Sequence, residues 1–197
     1  FNRNYEIKPA VFEIKYTSNT ILITCKSEFN NGYSYVLKKE IKLEKHGFTI
    51  NYDLENTGEK EIITDEYVHN FLAINKELIG RNYVLKFPFK LMPAFFLETV
   101  NPEQKVTIGQ TDVTFNDSPK EQFFFSNLNG SKNVKPQWEL KNLESKISIS
   151  ETGSFNTNKV NLWGWKHVIS PELFIDVSIK PGQNANWTRA YKISNFI

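Results

Sequence analysis

Residues 36–43 read VLKKEIKL, and residues 48–52, which follow a His46-Gly47 turn, read FTINY. In both runs apolar and polar side chains alternate with a period of two, as they do in a strand with one buried face. Gly47 tolerates the positive φ that tight hairpin turns use. The stretch therefore predicts two antiparallel strands joined by a hairpin.

The same alternation recurs along the chain between turn sequences rich in Asn, Gly and Ser. The 16 Phe, 8 Tyr and 4 Trp favour pleated strands over helices, and no segment shows convincing helical amphipathicity. The sequence thus predicts an all-β protein, a large antiparallel β-sandwich. The predicted strands are Val11–Tyr16, Thr20–Lys26, Ser34–Glu44, Phe48–Leu54, Tyr83–Phe89, Phe95–Val100, Val106–Ile108, Gln122–Ser126, Trp138–Leu140, Lys146–Ser150, Lys159–Trp165, Leu173–Ile179 and Trp187–Ile193.

Length and composition restrict the function classes. The 197 residues contain no repeat or long linker, so we expect residues 1–197 to form a single domain. A net charge of +2 with scattered basic residues argues against a nucleic-acid partner, and the absence of a run of about 20 apolar residues argues against a membrane span. The lone Cys25 lies in an apolar run and is expected in the core.

The chain begins with Phe1 and not with Met, so we expect an N-terminal segment to be missing. Any targeting signal would lie on that segment, and the localisation therefore stays open, with the cytoplasm favoured. The sequence leaves the oligomeric state open as well.

One chemistry-bearing segment is residues 64–75, which read TDEYVHNFLAIN. His69 is one of three histidines, and an imidazole can exchange protons near neutral pH. We expect His69 at the end of a strand that follows the Asn56-Thr57-Gly58 turn, and a lone histidine in a strand is more often structural. Phosphate-binding loops, zinc-protease motifs and serine-hydrolase motifs are absent from the sequence.

A second such segment is residues 160–176, followed by Arg189. Trp163 or Trp165 could stack on the apolar face of a pyranose, and Glu172, His167 and Arg189 could hydrogen-bond to hydroxyls. The simpler interpretation is core tryptophan with solvated charges. Because alternation puts Trp163 and Trp165 on one face, we expect one to line a pocket and the other to lie in the core.

Several motifs together resemble the galactose mutarotase (aldose 1-epimerase) superfamily. They are the run INYDLENTG at 50–58, HNFLAIN at 69–75, SPELF at 170–174 and KPGQ at 180–183. The resemblance implies a large antiparallel supersandwich, with His69 as general acid, Glu172 as general base and the neighbouring Asn70 among the substrate-binding residues. It implies a small sugar or a glycan as the ligand, with neither metal nor cofactor.

Two functions follow as hypotheses. The first is an isomerase that interconverts sugar anomers by acid–base ring opening at His69 and Glu172. The second is a non-catalytic carbohydrate-binding module, or an accessory sandwich of a polysaccharide-active protein, which Trp163, Trp165 and Trp187 favour. A structural domain with a vestigial pocket is a third possibility.

Overall fold

The computed structural model describes residues 8–197, which form sixteen strands and one short 3₁₀ turn. The predicted all-β, antiparallel architecture is confirmed. The strands are β1 (Val11–Tyr16), β2 (Thr20–Lys26), β3 (Tyr35–Glu44), β4 (Gly47–Asn56), β5 (Ile62–Glu66), β6 (Tyr83–Lys86), β7 (Thr99–Val100), β8 (Val106–Ile108), β9 (Asp112–Phe115), β10 (Phe123–Phe125), β11 (Gln137–Asn142), β12 (Ile147–Gly153), β13 (Val160–Trp165), β14 (Val168–Leu173), β15 (Ile175–Ile179) and β16 (Asn184–Asn195).

Two predicted strands are wrong in part. Of Phe95–Val100, only β7 is a paired strand, because Pro93 opens a 3₁₀ turn that runs to Phe95 and is closed by a Phe96 N–H to Pro93 C=O hydrogen bond of 3.3 Å. Leu173–Ile179 is not one strand. β14 and its pairing with β13 end at Leu173, Phe174 N–H donates to Lys159 C=O, and β15 then pairs with β5.

Two strands went unpredicted: β9 and most of β14. The strand predicted between the Asn56-Thr57-Gly58 turn and His69 is β5, which ends at Glu66 and does not reach the histidine. β14 contains Pro171, and a proline inside an apolar run argues against a paired strand in a sequence-based interpretation. In the structure Pro171 lies opposite Leu162 of β13. The far side of β14 is bordered by an irregular segment, bridged at Leu72, and not by a full strand.

The described residues divide into two compact units. Unit 1 runs to Thr64 and includes Val177–Thr188, and unit 2 comprises Asp65–Asp176 and Arg189–Ile197. The prediction of a single domain stays a prediction.

Unit 1 is built on a sheet with the order β1-β2-β3-β4, followed by the first part of β16. Its hairpin registers put Phe12 opposite Cys25 and Ile41 opposite Ile50. Cys25 is buried, as predicted. The alternation seen in residues 36–52 therefore separates an apolar face of this sheet from a polar one.

Unit 2 contains two sheets. One has the order β16-β12-β11-β6-β9-β8, beginning with the second part of β16, and the other has the order β14-β13-β10-β7. Side chains from both sheets meet in the core, where the rings of Phe115 on β9 and Phe123 on β10 are 5.8 Å apart. Trp138, Leu162 and Ile169 have no solvent exposure.

Gly164 is required where β13 crosses this core. A Cβ at residue 164 would lie 2.3 Å from Cζ of Phe123, which is its cross-strand neighbour. A glycine between Trp163 and Trp165 thus lets the Phe123 ring cover the core face of β13. The two tryptophans point to the opposite face, the one that carries the candidate site.

Candidate functional site

Glu172 lies on β14, on the face that also carries Ser170 and, across the strand pair, Asn161 and Trp163. Its carboxylate is almost fully buried, with a side-chain exposure of 4%. Burial raises the pKa of Glu172 to about 7, against the opposing effects of hydrogen bonds with Asn161 and Ser170 and of the Lys159 charge. Glu172 is therefore a carboxyl group that can gain or lose a proton near neutral pH.

His69 reaches Glu172 from the irregular segment that follows β5. Asn70 N–H donates to Ser170 Oγ (2.9 Å), and Leu72 and Ile169 exchange backbone hydrogen bonds, so the segment runs along the free side of β14. His69 Nε2 lies 3.5 Å from Glu172 Oε1. Burial lowers the pKa of His69, and its Nδ1 is buried without a hydrogen-bond partner.

Phe71 has a backbone conformation that bulky residues rarely adopt, with φ of 47°. Such left-handed conformations cost of order 1–3 kcal/mol and tend to occur at functional sites. The turn at Phe71 stacks its ring on the His69 imidazole, with centroids 4.2 Å apart, while half of the residue stays exposed. This conformation thus coincides with an aromatic ring packed against the histidine.

Trp163 completes an aromatic rim around His69. Its ring meets His69 edge-on at 5.0 Å and Phe71 edge-on at 5.5 Å. Trp163 is half-buried, so part of its surface is accessible. An imidazole and a carboxyl group thus lie next to flat apolar rings, an arrangement that suits a ligand with one apolar face and several hydroxyl groups.

Asn70 fixes the segment that carries His69. Its Nδ2 donates to Pro171 C=O (2.7 Å) and to Glu151 Oε2 (3.3 Å), and its Oδ1 accepts from Tyr191 Oη (2.9 Å). The Asn70 amide is thus engaged at both ends within unit 2. The sequence predicted a contact with substrate for Asn70, which stays a prediction.

Arg189, also predicted to bind substrate, has no solvent exposure. Its Nη1 donates to Glu151 Oε1 (2.6 Å), and its Nη2 donates to Glu66 Oε2 (2.7 Å) and Leu173 C=O (2.9 Å). Burial acts to lower the pKa of Arg189, but the charges and hydrogen bonds of Glu151 and Glu66 outweigh it and raise the pKa. Arg189 is a permanent buried cation behind the site.

The remaining predicted residues lie apart from the His69–Glu172 pair. Trp165 is half-buried and donates Nε1–H to Lys120 C=O (2.8 Å), so the expectation that one of the two tryptophans is a core residue is wrong. His167 is exposed in the β13–β14 turn, roughly 16 Å along the strand from Glu172 at about 3.3 Å per residue. Trp187, in unit 1, is buried and stacks on Tyr52, so it offers no surface to a ligand.

Four residues of the site were not found from the sequence: Glu151, Asn161, Ser170 and Tyr191. A signal existed for Glu151, which shares a strand face with Ile147 and Ile149. A carboxylate in phase with apolar neighbours indicates a buried, paired charge. Asn161 likewise shares a strand face with the two tryptophans of β13.

Within residues 8–197, no three His, Cys, Asp or Glu side chains are grouped so that they could hold a metal ion. Among the same residues, no helix has the length and apolar character needed to cross a membrane.

No protein-family model matches this sequence, and no curated protein is significantly similar to it. Solved structures do match. An Escherichia coli K12 protein provisionally named an aldose 1-epimerase superposes with a TM-score of 0.69 at 7% identity, over 94% of this chain and 69% of that one. A galactose mutarotase related enzyme from Lactobacillus acidophilus superposes with a TM-score of 0.64 at 10% identity, over 93% of this chain and 71% of that one. An aldose epimerase homologue from C. elegans superposes with a TM-score of 0.59 at 10% identity, over 94% of this chain and 69% of that one.

The chain has the galactose mutarotase-like fold.

The galactose mutarotase-like fold accounts for nearly the whole chain, which in turn spans about two-thirds of the length of these solved chains. The fold resemblance inferred from residues 50–58, 69–75 and 170–183 is therefore confirmed. At identities of 7–10% the likeness establishes the fold and leaves the chemistry to be argued from the site.

Proposed function

We propose that unit 2 opens and recloses the ring of an aldose and so interconverts its anomers, with His69 and Glu172 as the acid–base pair. The observation that carries the proposal is the 3.5 Å separation of His69 Nε2 and Glu172 Oε1 beside the Phe71 and Trp163 rings. The names of two fold neighbours, provisionally an aldose 1-epimerase and a galactose mutarotase related enzyme, support the proposal.

The reaction moves two protons. One group removes the proton of the anomeric hydroxyl, the C1–O1 bond becomes a carbonyl, the bond from C1 to the ring oxygen breaks, and the second group protonates that oxygen. Rotation about C1–C2 and the reverse steps give the other anomer. Because both oxygens are bonded to C1, two side-chain atoms 3.5 Å apart can reach them together. Glu172 acts as base toward the hydroxyl, and His69 acts as acid toward the ring oxygen.

The pair needs one shared proton to begin the cycle. Burial raises the pKa of Glu172 to about 7 and lowers that of His69, so the proton that the pair shares can reside on Glu172 as well as on His69. Two coupled groups of this kind titrate as one pair, and the shared proton can move from one to the other. The same pair can therefore serve ring opening and ring closure, in which the acid and base roles reverse.

The other residues of the site support this pair. Asn70 holds the His69 segment to β14, and Glu151, which pairs with Arg189, accepts a hydrogen bond from Asn70. Trp163 and Phe71 offer apolar surface to the C–H face of a pyranose. The proposal uses no metal and no cofactor, since proton transfer alone completes the reaction.

The test is anomeric exchange measured by NMR on a panel of aldoses, with the spontaneous rate subtracted. We expect exchange by the protein to be lost in His69→Ala and in Glu172→Gln, with a fall of roughly 10²–10⁴-fold for a general acid or base. His46→Ala, which removes an exposed histidine of unit 1, is the matched control and should leave the rate unchanged. A wild-type rate in either site variant contradicts the proposal.

A second candidate is carbohydrate binding without turnover. It is favoured by the exposed half of Phe71 beside Trp163, since a stacking surface needs no proton transfer. This function predicts saturable binding to a sugar or glycan that depends on Trp163 and persists in Glu172→Gln, with no exchange above the spontaneous rate. Exchange that Glu172→Gln abolishes decides in favour of the isomerase.

A further inference from the structure

Strand β1 forms one end of the unit 1 sheet. In the part of the chain that the structure describes, its only strand partner is β2, and all six of its side chains are exposed. Thr17 N–H donates to Thr20 C=O (2.8 Å), so Thr17 and Thr20 are a hydrogen-bonded pair at the end of the β1–β2 ladder. Because such pairs alternate in an antiparallel ladder, the N–H and C=O groups of Phe12, Ile14 and Tyr16 point away from β2.

The side chains of β1 divide by chemistry. Phe12, Ile14 and Tyr16 share one face and are 65%, 62% and 81% exposed. Glu13 and Lys15 share the other face, where their charged groups lie 2.9 Å apart and both side chains are more than half exposed. An exposed edge with an apolar face is a template for pairing with another strand.

We propose that β1 pairs antiparallel with β1 of a second copy, about a two-fold axis that places Ile14 opposite Ile14. In this register Phe12 lies opposite Tyr16 of the second copy on the apolar face. On the polar face Glu13 lies opposite Lys15 of the second copy, and the same pair recurs by symmetry. The outward N–H and C=O groups of Phe12, Ile14 and Tyr16 form about six hydrogen bonds across the axis.

Charge selects this register and this occupant. In the two neighbouring registers, the same backbone N–H and C=O groups face the partner strand, but the two-fold axis passes through Glu13 or through Lys15. Each of these registers places two like charges directly opposite one another, which is destabilising. A shift by one residue would exchange the apolar and polar faces. The segment VFEIKY is thus complementary to an antiparallel copy of itself. This favours a second copy of the chain over an unrelated strand as the partner.

The contact is small. A six-residue edge buries less than the roughly 1,200 Å² of a standard stable interface, so the dimer is expected to depend on protein concentration. Sedimentation velocity from micromolar to near-millimolar protein should show a monomer that converts to a dimer.

Charge reversal tests the register. Glu13→Lys alone and Lys15→Glu alone place like charges opposite each other and should each weaken the dimer by about tenfold or more. An equimolar mixture of the two variants restores both opposite-charge pairs and should form a heterodimer, and the double variant should dimerise like the wild type. Glu55→Lys, an exposed charge reversal on β4, is the control for net charge and should leave the dimer intact.

Two outcomes overturn the proposal. A wild-type chain that stays monomeric over the whole range leaves the β1 edge to a different occupant. A dimer that neither single reversal weakens, or singles that fail to associate when mixed, assigns the contact to another surface. Circular dichroism of each variant confirms that the exposed substitutions leave the fold unchanged.

Discussion

Glu151 and Arg189 form an ion pair at 2.6 Å in which neither side chain has any solvent exposure. Glu151 Oε2 also accepts hydrogen bonds from Trp138 Nε1 (2.9 Å) and Asn70 Nδ2 (3.3 Å). The pair therefore joins β12 and β16 to the segment that carries His69. A buried pair of this kind adds little net stability by itself, but the loss of one partner leaves a charge without compensation.

We expect Glu151→Ala to lower the free energy of unfolding by about 3–5 kcal/mol, because Arg189 then keeps Glu66 as its one ionic partner in a buried position. Urea denaturation measures the change. Glu151→Gln keeps the shape of the side chain and should be less damaging. Glu139→Ala removes a partly exposed carboxylate on β11 that pairs with Lys141, and it should cost under about 1 kcal/mol. Equal losses for the two alanine variants would contradict the burial argument.

The rate of anomeric exchange should follow a bell-shaped pH profile. The catalytic pair needs one proton in total, so the rate falls at high pH as Glu172, with a pKa of about 7, releases it. The rate also falls at low pH, because His69, whose pKa is lowered from the ordinary value of 6.5, then binds a proton and the pair holds two. Asn161→Ala removes a hydrogen bond that lowers the pKa of Glu172, so the alkaline limb should move to higher pH. A flat profile from pH 5 to 9 would exclude this proton count.

Glu172 should also make the folded state less stable as the pH rises. Its pKa is about 7 when folded and 4.5 in the reference state, so between these values the folded protein holds a proton that the unfolded chain has lost. The shift corresponds to about 3 kcal/mol at most, which is fully lost above pH 7. His69, with a lowered pKa, acts in the opposite sense near pH 6.5.

Urea denaturation at pH 4.5 and pH 8 tests this linkage. Glu172→Gln cannot ionise, so relative to the wild type it should be more stabilising at pH 8 than at pH 4.5. A difference between the two proteins that does not change with pH would contradict the raised pKa.

Trp163→Ala should weaken the binding of substrate more than it slows the reaction. The lost stacking is worth about 0.5–1.5 kcal/mol, which corresponds to a rise in KM of roughly 2–10-fold with kcat little changed. Steady-state kinetics separate the two constants. Tyr33→Ala removes an exposed aromatic ring from unit 1 and serves as the matched control. An unchanged KM in Trp163→Ala would remove Trp163 from the sugar site.

Gly164→Ala should destabilise unit 2 by about 1–3 kcal/mol, because the added Cβ would lie 2.3 Å from Phe123 Cζ in a packed core. Thermal unfolding measures the loss. Phe123→Leu in the same chain removes the obstructing ring, so the double variant should be less unstable than the sum of the two single changes. Strict additivity would show that the clash is relieved elsewhere.

Local patterns were enough to predict most strands and the fold class. Alternation in residues 36–52 reports which side chains share a face, and β3 and β4 form there as expected. The exceptions have local causes that compete with the pattern, such as Pro93 ahead of an apolar run and Pro171 inside a strand. His69 and Glu172 were paired through the family resemblance, and in the structure they are in contact.

Contacts between distant parts of the chain could not be predicted in this way. Asn70 meets Glu151 across 81 residues, and Arg189 meets Glu66 across 123, because strand order sets β12 beside β16 and the segment along β14 packs against them. The burial of Trp187 and Arg189 depends on the same order. Alternation specifies the face on which a side chain lies, whereas burial and hydrogen bonding depend on what packs against that face. That is why the β fold follows from the amino-acid pattern, and the surroundings of His69 and Glu172 follow from the packing of unit 2.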